Sequence, residues 1–438
     1  MKPKHIKNLL LTEIKTVSND FDMYCYEPQR NFTRNRKLSF ETVIKSIIGM
    51  ESKSLTNELL DFFNSSPDTP SASAFIQQRS KIKPEALETI FKGFTNKILK
   101  QPLTDLPVLA IDGSDIQIAT NPNDETSYFP GANGQKPYNL LHLNALYDLE
   151  QHLYVDAIIQ GRMNLNEHSA LQEMIDRSSV PKALVIADRG YESYNNMAHI
   201  QEKGWFFLIR IKDGKMGIKD GLDLPKNDEF DVDISLKLTR KQTNEIKELL
   251  KDKNNYRFLP KTTPLDYLPA KSRKADPVQF YELKFRIVRF KITEDTYETV
   301  LTNLDSTSYS SEALKKLYAT RWGIETSFRN LKYTIGMINF HSKKVTCIQQ
   351  EIYAHLIMYN FAEMITSHVV IEKKQRKYTY KANFSVAAHM CRLFYRGNTT
   401  SPNLETIIAR NIIPIRMDRH RERHLTAKVF HGFLYRVA

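Results

Sequence analysis

Cysteine is scarce. The 438 residues hold three, Cys25, Cys347 and Cys391, far apart in the chain. That excludes a disulfide scaffold, and an odd count suits a reducing compartment. No C-x-x-C pair and no Cys/His spacing of the zinc type occurs. Long apolar runs are missing as well, since nothing approaches the roughly 20 residues that cross a bilayer. The apolar run Leu9–Leu11, in the basic stretch Met1–Asp20, is too short for the ~7–15-residue core of a secretory leader. Neither G-x-x-x-x-G-K-[ST] nor G-x-G-x-x-G is present, so no nucleotide cofactor is expected. Internal repeats and long low-complexity tracts are also absent. A soluble, cytoplasmic protein without a membrane partner is the expectation.

What the chain has in excess is positive charge. Lys plus Arg number 63 and Asp plus Glu 50, a net +13, with a pI near 9.3. An anionic partner follows, nucleic acid or a membrane surface first. Apolar residues make up 41% and charged ones 26%, which suits a folded protein of about two to three domains.

The first hundred residues read as helices. Phe40, Val43, Ile44, Ile47 and Ile48 recur at helical spacing, and Ser71–Arg79 reads as a short helix. Pro84 opens another helix, with Leu87, Ile90, Phe91, Phe94 and Ile98 as its apolar stripe. Such a helical unit is either a DNA-binding module or a cap on the main domain. From Leu106 the pattern changes to strands: Val108–Ala119, His142–Leu149 and Leu153–Gln160, then a helix at Glu167–Arg177. The short apolar strand Ala183–Ala187, a helix near Ser193–Lys203 and the strand Trp205–Lys212 follow. Three meandering strands followed by β-α alternation predict a mixed sheet with helices on both faces. Between Lys215 and Glu298 the chain is charged and alternating, as in Gln279–Ile292, which predicts an antiparallel β insertion. Val300–Leu304 returns as a strand, and Ser310–Tyr333 and Cys347–Val370 read as long helices.

Three acids stand out. Asp112 interrupts the first strand, with Asp115 as its local competitor. Asp188 directly follows the buried strand, where the carboxyl ends of strands line functional crevices. A charge there is costly unless solvated, paired or metal-bound; the alternative for Asp188 is a helix cap or turn residue. The third acid is Glu325. At ~100° per residue, Tyr318, Arg321, Glu325, Arg329 and Lys332 share about 80° of one helix face, with Leu317, Ile324, Phe328 and Leu331 beside them. The alternative is a solvated face with Glu325 and Arg329 paired at i,i+4. Two aspartates on a sheet and a glutamate on a helix could hold two divalent cations, Mg2+ or Mn2+. Two such ions can activate a nucleophile and stabilise a leaving oxygen in phosphodiester displacement.

At these residues the sequence resembles a known family. The run Tyr318-x2-Arg321-x3-Glu325-x6-Lys332 is similar to the Y-R-E-K signature of DDE transposases of bacterial insertion sequences, the insertion-sequence-four family. The contexts of Asp112 (AIDGSD) and Asp188 (VIADRGY) resemble it too, and the likeness spans about Val108 to Met364. It implies an α/β fold, a ribonuclease H-like core carrying Asp112, Asp188 and Glu325 as catalytic metal ligands, and a β-rich insertion before the glutamate. The layout implied is a helical unit at 1–104, the core at 105–212 and 299–370, the insertion at 213–298, and a basic helical region at 371–438. Tyr318, Arg321, Trp322, Arg329 and Lys332 would contact DNA, with Arg189 and Tyr297 joining them. Some members stack a flipped base on aromatic rings; Tyr297 and Trp322 are the candidates, although the family's usual tryptophan is absent at Tyr297.

Two further segments are basic. Lys373, Lys374, Arg376, Lys377 and Lys381 surround Tyr378 and Tyr380, and Arg410, Arg416, Arg419, Arg421 and Arg423 crowd the tail. Each is either a nucleic-acid contact or a solvated surface run. The activity implied is end cleavage and strand transfer on double-stranded DNA, both transposon ends and target, by a homodimer in a synaptic complex acting at the nucleoid. The rivals are an inactive DNA-binding derivative, against which the intact acids argue, and a metal-dependent nuclease or resolvase with the same core.

Overall fold

Serines start several of the N-terminal helices. In the computed structural model, α1 (Pro3–Asn19), α2 (Phe40–Gly49), α3 (Leu55–Phe62), α4 (Ala72–Arg79) and α5 (Glu85–Ile98) make the first unit. Ser39, Ser54 and Ser71 each accept a backbone N–H of the first turn, as good N-caps do. The stripe Leu87, Ile90, Phe91, Phe94 and Ile98 is fully buried. The structure describes residues 1–34, 36–99, 106–131, 136–212, 217–268, 280–371 and 378–415. The basic residues 373, 374, 376 and 377, those from 416 onward, and Gln279 lie outside them.

The strands are β1 (Val108–Ile118), β2 (Tyr128–Phe129), β3 (Tyr138–Asp148), β4 (Leu153–Gln160), β5 (Leu184–Ala187), β6 (Phe206–Arg210), β7 (Phe230–Thr239), β8 (Tyr256–Phe258), β9 (Tyr281–Thr293) and β10 (Thr296–Thr302). They form one ten-stranded sheet in the order β2-β3-β1-β5-β6-β10-β9-β7-β8, with β4 on β3. β1, β5 and β6 are parallel, while β3 and β4 turn back beside β1. The order β4-β3-β1-β5-β6 combines parallel and antiparallel pairs, and the expected α/β mixed sheet is met. The alternating segment after residue 213 has a closer tie to this sheet than its sequence conveys. β9 pairs with β10, and β10 with β6, so the added strands prolong the core sheet.

Side chains alternate along β1 and separate two layers. Leu109 and Ile111 pack with α6 (Glu167–Asp176) and α7 (Tyr194–Glu202). A short helix, α8 (Asn244–Leu249), decorates the added strands. Ala110, Ile116 and Ile118 pack with the N-terminal helices and with three later ones. Those are α10 (Trp322–Arg329), which follows α9 (Ser311–Thr320), α11 (Val345–Thr366) and α12 (Phe384–Arg396). Among the described residues the chain closes with α13 (Ser401–Arg410) and a pair of strands, β11 (Tyr380–Ala382) and β12 (Ile412–Pro414). The cysteines are buried and unpaired, and no helix among the described residues is long and apolar enough to cross a membrane.

α11 is buried on almost every side and ties the N-terminal helices to the core. Its polar residues do this through Arg79, which is 2% exposed. Arg79 donates to Gln350 Oε1 at 2.8 Å and Glu351 Oε1 at 2.8 Å, and also to the Cys347 carbonyl. Burial alone would lift the Glu351 carboxyl, but Arg79 and His341 hold it down at about 2. The stabilisation is therefore in place above the unfolded carboxylate value and is lost on acidifying toward pH 2. Arg79→Ala leaves that carboxylate buried without its main partner and is expected to cost about 3–5 kcal/mol in urea unfolding at pH 7.

Candidate active site

The parallel pairing of β1 with β5 sets the first two acids. Val108 lies beside Leu184, Leu109 beside Val185 and Ala110 beside Ile186. Carried two residues further, that register brings Asp112 beside Asp188 on the face shared by Ala110 and Ile186. Adjacent strands are ~4.8 Å apart, so two carboxylates stand together at the carboxyl edge. A backbone N–H holds each: Gly113 donates to Asp112 Oδ1 at 2.9 Å and Gly190 to Asp188 Oδ1 at 2.8 Å. Asp188 thus caps the short turn Arg189–Tyr191. The two sequence readings of this residue are compatible, since capping uses one oxygen.

α10 brings Glu325 over the same face. Gly323 eases its approach, since a Cβ there would stand 2.8 Å from Leu149 Cδ2, the end of a side chain that would have to turn aside. Buried Ser327, on its inner side, bonds Tyr154 OH at 2.9 Å and fixes the helix to β4. Glu325 Oε1 accepts from Arg321 Nη2 at 2.7 Å, and Arg321 Nη1 lies 3.9 Å from Asp112 Oδ2. Glu325 is therefore paired with Arg321, not with Arg329 as the i,i+4 alternative has it. Burial raises the Asp112 carboxyl to about 6; Gly113 and Arg321 oppose the rise, and Asp188 and Glu325 add to it. Asp188 and Glu325 are thus near enough to be felt electrostatically by Asp112.

The single long helix expected over Ser310–Tyr333 is a correction. The helix breaks at Arg321 into α9 and α10, and Asn330–Thr334 is a π turn closed by Ile335 N–H to the Asn330 carbonyl at 2.9 Å. π turns often occur at functional sites. Within this one, Lys332 Nζ donates to the Asp115 carbonyl at 2.9 Å. Tyr318 is buried, and its hydroxyl has no hydrogen-bond partner among the described residues. Burial pushes that phenol up, while Arg321 and Arg210 pull it down. Arg210 itself pairs with Glu298 at 3.2 Å.

The other sequence candidates lie on the rim. Trp322 is 49% exposed, and Arg329 is exposed too. Exposed Arg189 borders a cavity of about 560 Å3 that Lys212, Tyr194 and Arg257 also line. Tyr297 is half-buried on β10, with the Arg289 guanidinium 5.1 Å from its ring centre. Because β10 runs antiparallel to β6, Tyr297 lies toward the edge where β6 ends. Two residues escape the sequence reading, His142 on β3 and Glu167 on α6; the strand also carries Asn139, Asn144 and Asp148, so its sequence does not single out the histidine.

Among the described residues, no three His, Cys, Asp or Glu side chains converge closely enough to grip a metal as they lie. The Arg321 guanidinium carries the positive charge between Asp112 and Glu325. By donor chemistry the three acids fit a hard divalent cation, being carboxylate oxygens alone. Their mutual repulsion is what such an ion would relieve. With a folded pKa above its unfolded value, ionised Asp112 weakens the metal-free fold above about pH 6. Asp112→Asn is expected to melt at or above the wild-type temperature at pH 8 in EDTA, by thermal scanning; a clear drop would contradict this reading of the site.

The model of the family described as "Transposase DDE domain" matches residues 103–361, more than half of the chain, and takes in all three acids. Transposase InsG for insertion sequence element IS4, from Escherichia coli strain K12, is 22% identical over 341 residues, 75% of this chain and 70% of that protein. The cryo-EM structure of the piggyBac transposase synaptic complex with hairpin DNA aligns with a TM-score of 0.45 and 12% identity. That alignment covers 96% of this chain and 87% of that one. The chain belongs to the transposase DDE-domain family and is a DNA transposase.

Proposed function

We propose that the protein is the transposase of a bacterial insertion sequence of the insertion-sequence-four type. It binds the terminal inverted repeats as a homodimer in the synaptic complex, cleaves the transposon ends and joins the freed 3′ ends to target DNA. The observation that carries this reading is the strand register that sets Asp112 beside Asp188, under the helix bearing Glu325. Asp112, Asp188 and Glu325 are the catalytic residues in this reading. Two divalent cations, Mg2+ or Mn2+, held by these carboxylates would supply an activated nucleophile and a charge sink for the leaving oxygen.

The remaining groups bind and orient the strand. Arg321 is placed to reach a phosphate oxygen while still fixing Glu325, because a guanidinium has five donors. In this reading the Tyr318 hydroxyl, buried and without a partner among the described residues, is a donor that a phosphate oxygen would satisfy once DNA binding uncovers it. Arg329, Trp322 and Arg189 offer an exposed cationic and aromatic rim to the strand on either side. Lys332 neutralises phosphate charge from the π turn, and Tyr297 offers a ring to an unstacked base. The helical unit 1–104, the added strands within 213–298 and the basic region 371–438 then flank the core 105–212 and 299–370 as duplex contacts.

The test uses a terminal-repeat duplex and a target plasmid. Wild type should nick the duplex with Mg2+ or Mn2+ and transfer the ends into the plasmid. Asp112→Asn should lower nicking by more than ~100-fold, beyond the effect of losing an outer-shell metal partner, and leave duplex affinity within about twofold. Wild-type cleavage by that variant refutes the assignment. Cut ends without transfer identify a nuclease.

A further inference from the structure

Behind the first aspartate lies a charged cluster that the Y-R-E-K and aspartate motifs do not contain. His142 on β3 stands opposite Asp115 on β1. Its Nδ1 bonds Asp115 Oδ1 at 2.7 Å, and its Nε2 pairs with Glu167 Oε1 at 2.9 Å. The histidine side chain is 8% exposed. Nδ1 bonds Asp115, while Nε2 stands in ion-pair range of Glu167 without the geometry of a hydrogen bond; a ring set between two carboxylates favours the imidazolium.

The glycine after Asp112 makes room for this ion pair. A Cβ on Gly113 would stand 2.3 Å from His142 Nε2 and 2.7 Å from Glu167 Oε1. Gly113 has a negative φ, so the need is for space and not for backbone freedom. The cluster thus presses on the strand at the residue next to Asp112. From Asp115 the connection continues, since its carbonyl receives Lys332 Nζ from the π turn that follows α10. One chain of charge-assisted contacts therefore runs from α6 through β3 and β1 to the segment carrying Glu325.

We infer that His142 is a positioning residue. Its charge, clamped by Glu167, fixes the β1 segment Asp112–Asp115 and, through Lys332, the spacing between Asp112 and Glu325. The inference rests on the proposed catalytic role of those two acids. Partners that orient metal-binding groups from behind typically matter by 10–100-fold.

The experiment compares wild type, His142→Gln and Glu167→Gln as full-length proteins. Glu167 is 39% exposed, so its variant tests the clamp at a site tolerant of change. The readouts are Mn2+ affinity by isothermal titration calorimetry, and kcat and KM for nicking of the terminal-repeat duplex. Expected for both variants is a ~10-fold or greater loss of Mn2+ affinity and kcat, with KM for DNA unchanged within about twofold. The double variant should be no worse than the poorer single one, as coupled partners are. Wild-type Mn2+ affinity and kcat in Glu167→Gln overturn the inference, as does a loss confined to KM. Asp112→Asn run in parallel separates the two levels. If it cleaves normally, the catalytic reading fails; if it is dead while the clamp variants are normal, only the role of His142 fails.

Discussion

Two carboxylates on neighbouring parallel strands repel each other, and the arrangement around them answers that repulsion. The β1–β5 ladder ends with Ala110 beside Ile186, and Asp112 and Asp188 follow two residues on, at the same edge. Backbone N–H groups take one oxygen of each acid, and Arg321 lies between Asp112 and Glu325. Burial is the largest cause of the rise of Asp112 to about 6, with Asp188 and Glu325 adding to it, so the ionised acid is held at a cost in stability.

The helix over the site is shaped by the same requirement. A continuous α-helix from residue 311 to 334 would keep Tyr318, Arg321, Glu325 and Lys332 on one stripe. The break at Arg321 and the π turn at Asn330–Thr334 redirect the ends of that stripe. Tyr318 turns inward against β10 and its neighbours, while Lys332 drops to the backbone of β1. Gly323 eases the close approach, and Ser327 with Tyr154 fixes its depth. Spacing in the sequence thus encodes a stack of distances as much as a shared face.

Much of this is legible in the chain, because strand and helix periods are strong signals. ALVIA followed by Asp reads as a buried strand ending in a charge, and Leu87 through Ile98 reads as a buried stripe; both follow from burial of apolar side chains. The break at Arg321 is signalled only by the low helical propensity of Thr320 and Gly323 beside it, and tertiary contacts decide the geometry. The joining of β10 to β6 is not legible, being a non-local pairing that no local pattern states. His142 escapes for a related reason. Its partners Asp115 and Glu167 lie 27 and 25 positions away, and only the folded sheet brings the three together. The glycine of AIDGSD is plain to see, but what it makes room for is visible only in three dimensions.

The continuity of the sheet has a mechanical consequence. From β5 through β6 and β10 to β9 and β7, each strand is hydrogen-bonded to the next. At ~4.8 Å per strand, that ladder holds the added strands at fixed distances from the pair of aspartates, as one stiff plate and not as a unit hinged onto the core.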